Sequence, residues 1–313
     1  MTVPPVRYRA VAAVAFSTQR QVLWDLCYRM TGTVGDADML LRDCFSTAAE
    51  SPSVDRDGDR GSHLMRSAVM LSMAALRHRR RRHYVGCWLP SPVETGNAVS
   101  QALRPLSATA ARYDTVESGS IAFLTALEAL VPRERAVLVM CDAFGVDVQG
   151  AASTLGVTSA AARALLQNAR RHMQRYDAAS QPPTAHAQAQ AAALLCDCLV
   201  NLQNYDAVRL ERILAPDVRA MFDSGGEFVA PPRGIAGSGA VAKLLTKFAG
   251  GTGPISFAFR MLNGLPAALG QCKERPRWAN RFVIRIEARE DLASEVHVIM
   301  ASAKLTAVRF DPI

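Results

Sequence analysis

Residues 147–173 read DVQGAASTLGVTSAAARALLQNARRHM, and their spacing predicts two helices joined by a tight turn. Asp147 stands where a helix start needs a side-chain acceptor for its orphan N–H groups. Ala151, Ala152 and Leu155 recur at helical spacing and form an inner face. Gly156 follows, a residue free to take the positive φ that a sharp turn demands. Val157 fills the corner and Thr158 caps the second helix, whose Ala162, Leu165 and Ala169 turn inward. Two closely crossing helices need a small residue at their contact, here Ala152, and a permissive one four positions on, here Gly156. This is the logic of a helix-turn-helix. The second helix then presents Thr158, Ser159, Ala160, Arg163, Gln167, Asn168, Arg170 and Arg171 outward. Arg, Gln and Asn match base edges, and Arg also neutralises phosphate. A plain helical hairpin with a solvated basic face is the alternative that spacing leaves open.

A second basic feature lies upstream. The segment HLMRSAVMLSMAALRHRRRRH, residues 63–83, is apolar on one face and ends in a run that includes Arg79, Arg80, Arg81 and Arg82. Cations suit a helix C-terminus, but capping needs fewer, so the run points to phosphate. The formal net charge of +8 and the pI of about 9.4 favour a polyanionic partner. The seven cysteines form no framework and follow no secretory signal, which predicts reduced thiols in a reducing compartment. Cys196 and Cys198 form a CxC pair in an apolar run. They lack the second pair or the histidines of a metal site and are read as buried thiols. No stretch approaches the ~18–20 apolar residues of a membrane helix.

Around these features the chain organises itself. Residues 16–50 read as helices, with Val22, Leu23, Leu26 and Met30 at helical spacing, a break at Gly32 and Gly35, and Asp36 as the next N-cap. A polar loop spans 51–62. Residues 85–119, holding Pro90, Pro92 and Pro105, read as a linker, and 177–188, with Pro182 and Pro183, as another. The remainder opens with a helix at 189–203. It continues in the strand-like runs VRAMFD, ISFAFRML, RFVIRIEA and EVHVIMASAKLTAVRF, which describe an α+β domain. The expected boundaries are a helical domain at 10–88, a linker at 89–119, the helix-turn-helix domain at 120–177, a linker at 178–188 and the α+β domain at 189–313.

The order of these parts resembles a known family. YRMTGTVGDADMLLRDCF (28–45) is similar to region 2, and residues 129–173 to region 4, of the extracytoplasmic-function sigma factors of the sigma-70 family. YVGCWLPSPV (84–93) resembles the linker motif of the subgroup with a fused SnoaL-like domain. MFDSGGEFVAPPRGIAGSGAVAKLL (221–245) resembles the Gly-rich signature of that domain. The resemblance implies a multidomain fold, with an all-α N-terminal half and a C-terminal cone like nuclear transport factor 2. It implies a cytoplasmic promoter-reading subunit of RNA polymerase. Region 2 would meet the β′ clamp through Asp36, Asp38, Arg42 and Asp43 and capture the −10 strand. Region 4 would meet the β flap and lay its second helix on the −35 duplex. The C-terminal domain, with its motif residues Asp223, Gly225, Gly226 and Glu227, would tune activity in cis. No cofactor, metal or membrane is implied.

Two other readings stand beside this one. A degenerate regulator would bind DNA or polymerase without initiating. Alternatively the C-terminal pocket would handle a small hydrophobic molecule, with Asp223, Glu227, Glu287, Glu295 or His297 as general base. His297 lies among apolar neighbours on a strand, and Asp223 precedes a turn. No Ser/His/Asp grouping or phosphate loop is present, so no enzymatic activity is expected.

Overall fold

The computed structural model describes residues 6–50, 60–81, 84–94, 111–179 and 184–311. The chain divides into two units, Met1–Arg81 with Gly96–Ala179, and Arg82–Thr95 with Ser180–Ile313.

In the helical unit, α1 (Val6–Thr31), α2 (Val34–Glu50) and α3 (Arg60–Arg81) pack on one another. Leu26, Cys27 and Met30 of α1, Ala37 and Cys44 of α2, and Ala68 and Val69 of α3 are wholly buried. Gly32, at φ 73°, ends α1. Thr33, rather than Asp36, caps α2, because its Oγ1 accepts from Asp36 N at 3.3 Å. Then come α4 (Thr115–Ser118), α5 (Ile121–Ala126), a 3-10 turn, α6 (Pro132–Leu138) and a π-helical turn at Val139–Ala143. They lead into α7 (Val148–Leu155) and α8 (Ser159–Ala179).

The sequence suggested two helical domains held apart by a linker, but the two sets of helices share one interior. Arg135 is 1% exposed and donates to Met30 O at 3.0 Å and Leu127 O at 2.5 Å. Arg29 donates to Ser118 Oγ at 2.9 Å and Thr115 O at 3.0 Å. Arg79 donates to Thr31 O and to Glu128, each at 2.6 Å. Guanidinium groups thus satisfy the carbonyls at the end of α1 and around the 3-10 turn, groups that would otherwise be costly to bury.

In the second unit, α9 (Ala185–Gln203), α10 (Ala207–Ile213) and α11 (Ser238–Thr252) cover one face of a six-stranded mixed sheet of order β2-β1-β6-β5-β4-β3. The strands are β1 (Leu214–Asp223), β2 (Ile235–Ala236), β3 (Ile255–Leu262), β4 (Leu265–Cys272), β5 (Arg281–Arg289) and β6 (Leu292–Ile299). Only β1 and β6 run parallel. Alternation sorts side chains by face. Ala220 and Phe222 join Val296, Val298, Ile284 and Ile286 in the core under the helices. Phe248 of α11 meets Phe222 edge-on at 5.6 Å and Phe282 at 4.9 Å. Each such ring stabilises the fold by about 2–3 kcal/mol through burial.

Two expected boundaries move. Residues 84–94, assigned to the end of the first domain and the start of a linker, are part of the C-terminal unit. Residues 111–119 are part of the helical one. The run EVHVIMASAKLTAVRF is a strand only as far as Ile299, beyond which Ser302–Lys304 form a 3-10 turn.

Candidate nucleic-acid interface

The helix-turn-helix is built from local rules. Asp147 Oδ1 accepts from Gly150 N at 2.6 Å and caps α7. Gly156 takes φ 65°, ψ 39°, the left-handed conformation that ends the helix. Its successor Val157 donates to Ala152 O at 3.1 Å. Thr158 Oγ1 accepts from Ala161 N at 3.2 Å and caps α8. The buried face of α8 is Ala162, Leu166, Ala169 and Met173, a run of helical spacing. Leu165, expected inside, is half-buried.

Thr158, Ala160, Arg163, Ala164, Gln167 and Arg171 are exposed on α8, while Ser159 and Asn168 are half-buried. Arg171 donates to Asn168 Oδ1. Gln174 and Arg175 extend the exposed set by a turn and were not singled out from sequence. Arg170, expected among the DNA-facing residues, is exposed as well, its side chain 44% open to solvent, and is also paired within the protein. Its Nε and Nη2 meet the two carboxylate oxygens of Asp142 at 2.9 and 2.6 Å. Asp142 is 2% exposed and sits in the π-helical turn, and this bond raises the affinity of Arg170 for its proton. A bidentate pair of this kind fixes the pose of α8 against the preceding turn. A lone acid in the apolar run AVLVMCDAF was the signal for it.

Arg79 is likewise committed to Glu128 and Thr31 O rather than turned to solvent. The side chains of Arg80, Arg81 and Arg82 lie outside the described residues. On α2, Asp38, Arg42 and Asp43 are exposed and Asp36 is half-buried. Asp38 also accepts from Trp24 Nε1 at 2.7 Å.

The motif residues of the second unit form a clamp. Asp223 is wholly buried, and its carboxylate accepts from Tyr84 Oη at 2.5 Å and Leu89 N at 2.7 Å. Lys304 Nζ pairs with the same carboxylate and donates to Leu89 O at 2.5 Å. The ammonium lies 4.5 Å from the Tyr84 ring centre and 4.6 Å from that of Trp88. Further along, Val93 N donates to Asn263 Oδ1 at 2.9 Å, and Glu94 bridges to Leu262. YVGCWLPSPV is therefore held along its length by the C-terminal fold. Gly226, at φ 82°, passes so close to Val85 that a Cβ would meet it at 3.2 Å. Glu227 Oε1 accepts from Ser302 N at 3.0 Å. Lys304, central to the clamp, was not singled out from sequence.

The acid–base candidates fall in two places. Asp223 is taken up by the clamp. His297, 1% exposed, shares its sheet face with Met221, opposite to Phe222. Glu287, Glu295 and His297 bring three ligand-capable atoms within 4.8 Å of one another. Buried Arg285 adjoins them, with Nη2 at 3.2 Å from Glu287 Oε1. Burial pushes the Glu295 carboxyl up, but His297, Arg219 and Arg285 more than offset this and leave it below the usual range. Arg285 and Glu287 form an ion pair within this cluster, while Glu287 Oε1 and both ring nitrogens of His297 are buried without a hydrogen-bond partner.

The chain is similar to known proteins in sequence and in fold. Residues 120–173 match the family model described as Sigma-70, region 4. The ECF RNA polymerase sigma factor SigJ of Mycobacterium tuberculosis is 29% identical over 257 residues, covering 82% of this chain and 78% of that protein. The probable ECF RNA polymerase sigma factor SigI of the same species is 28% identical over 219 residues, covering 68% of this chain and 70% of that protein. In fold, the crystal structure of M. tuberculosis SigJ matches 96% of this chain and 100% of its own, with a TM-score of 0.72 at 22% identity. Residues 120–173 are thus a helix-turn-helix segment of the sigma-70 region 4 type. Beyond that segment the chain is similar in sequence to extracytoplasmic-function sigma factors and in fold to one of them.

Proposed function

We infer that this chain directs core RNA polymerase to specific promoters and performs no chemistry of its own. The observation that carries the reading is the exposed polar face of α8, with Arg163, Gln167 and Arg171, on a helix-turn-helix capped at both starts. In this reading the face lies in the major groove of the −35 element, with phosphate contacts prominent because Ala160 and Ala164 offer bases only apolar contact. The α2 surface with Asp38, Arg42 and Asp43 meets the polymerase clamp, region 4 meets the flap, and the protein works in the cytoplasm. Among the described residues no helix is long and apolar enough to cross a membrane.

Geometry adds a condition. Elements centred at −35 and −10 are about 25 base pairs apart, or about 85 Å along B-form DNA. A compact unit the size of the helical one is about 40 Å across. Its two halves must separate to reach both elements, breaking the Arg29, Arg79 and Arg135 contacts. We also infer that the C-terminal domain tunes activity in cis by holding residues 84–94, the segment that must pay out when the halves part.

Run-off transcription with purified bacterial core polymerase tests this reading. The full chain and a chain ending after residue 178 are compared. Promoter-dependent transcripts whose yield differs between the two forms are expected. Absence of such transcripts from both forms, despite polymerase binding, would favour a regulator that does not initiate.

A further inference from the structure

A cavity of about 230 Å³ opens between β1, α11 and the loop after β1. Phe222 and Phe248 form its floor, Val229, Ala230 and Pro231 one wall, and Trp278 another. Leu244 and Lys247 of α11 complete the lining. A space of about 150 Å³ holds one benzene ring, so this one is suited to a two-ring compound. Lys247 is the one charged residue of the lining. Lys243 stands one turn back on the same helix face, Arg233 two residues beyond Pro231, and Arg277 next to Trp278. On these same segments Glu227 is engaged by Ser302 N, and Glu274 is exposed. The lining is thus apolar apart from one cation, Lys247. No general base lines it.

The cavity and the clamp are joined along the chain. Phe222 forms the floor, and Asp223, the next residue, points to the other face and holds Tyr84, Leu89 and Lys304. The loop that leaves Asp223 passes Val85 at Gly226 and ends as the cavity wall at Val229–Pro231. Val229 N donates to Arg277 O at 2.8 Å, tying that wall to the segment that carries Trp278. Any molecule that spreads the wall must move a loop whose other end holds residues 84–89.

We propose that this cavity receives a small apolar carboxylate without transforming it, and that occupancy is felt at the segment 84–93. Apolar walls select the body of the ligand, and Lys247 in the lining selects its charge. The proposal is independent of the transcriptional reading, since it is tested on the isolated full chain.

The probe is 1-naphthoate, with the uncharged 1-naphthalenemethanol as its comparison. Calorimetric titration up to about 1 mM is expected to give one saturable site for naphthoate and weaker binding of the alcohol. Lys247→Met is expected to weaken naphthoate about three- to fivefold, the range for a partly exposed charge pair, and to leave the alcohol unchanged. Leu244→Trp fills the cavity and is expected to abolish binding of both. Ala230→Leu, in the loop, does the same with less burden on folding. Amide exchange across residues 84–93 is expected to change on saturation with naphthoate and to stay unchanged in the filled variants. The proposal is overturned by the absence of a saturable site, by undiminished binding in a well-folded filled variant, or by equal binding of acid and alcohol. Unaltered exchange at 84–93 in the saturated chain would overturn it too.

Discussion

Lys304, in the turn after β6, donates to Asp223 at the end of β1, and the two side chains between them satisfy both backbone groups of Leu89. A wholly buried carboxylate is tolerated because an ammonium and three further donors, from Tyr84, Leu89 and Gly225, converge on it. Removing either charge leaves the other stranded. Asp223→Asn and Lys304→Met are each expected to destabilise the C-terminal unit by about 3–5 kcal/mol. The double variant is expected to lose clearly less than the sum. Denaturant unfolding of the four proteins checks this as a double-mutant cycle. Additive losses would mean that the pair does not act as a unit.

The Asp142–Arg170 pair sets a prediction for DNA. Each phosphate neutralised contributes about −0.9 to the slope of log K against log salt. Arg163→Ala and Arg171→Ala are each expected to make the slope for duplex binding shallower by up to about that amount. Arg170→Ala is expected to leave it nearly unchanged, because the side chain is bound to Asp142. Asp142→Ala releases the guanidinium and is expected to steepen the slope while lowering stability. Titrations of the full chain with duplex DNA at several salt concentrations give all four values.

Asp25 makes stability depend on pH. It is 2% exposed, and burial, only partly opposed by Arg29 and Gln21, raises its pKa from 3.8 to about 7. The folded state therefore holds a proton that the unfolded state releases between about pH 4 and pH 7. Stability from this group is greatest below pH 4, falls as pH rises to about 7, and is level above. Asp25→Asn is expected to remove that decline. Thermal unfolding from pH 4 to 8 on both proteins checks it, and matching profiles would contradict it.

The turn offers a local test. Gly156 adopts a positive φ that costs an L-residue about 1–2 kcal/mol. Gly156→Ala is expected to lower stability by about 1 kcal/mol and to weaken duplex binding only as far as α8 is displaced. Asp147→Ala and Thr158→Ala, at the two caps, are expected to cost about 1 kcal/mol each. Chemical denaturation measures all three.

What sequence revealed and what it hid follow from the range of the forces involved. Asp147, Gly156 and Thr158 were legible because caps and turns are decided within four residues. β3 and β5 were legible from β-branched and aromatic runs between turn residues. β4, LPAALGQC, was not: it is buried from Pro266 to Cys272, so it shows no alternation, and its Pro, Ala and Gly read as a turn. Periodicity places Arg170 on the outer face of α8, where it is exposed, but does not reveal the acid that pairs with it. Asp142 is 28 residues away in the chain. Arg79 was read as a DNA contact for the same reason, since Glu128 lies 49 residues off. The motif that marked Asp223 was visible. Its partner Lys304, 81 residues downstream, becomes apparent only when β1 and β6 lie side by side.

The central claim is that α8 reads promoters for polymerase. The most direct test maps the 5′ ends of transcripts made on genomic DNA by core polymerase, alone, with the chain, and with an Arg163→Ala/Gln167→Ala variant. New start sites sharing an upstream element, with the variant losing preference at that element, are the expected result. Start sites identical to those of core polymerase alone would contradict the account.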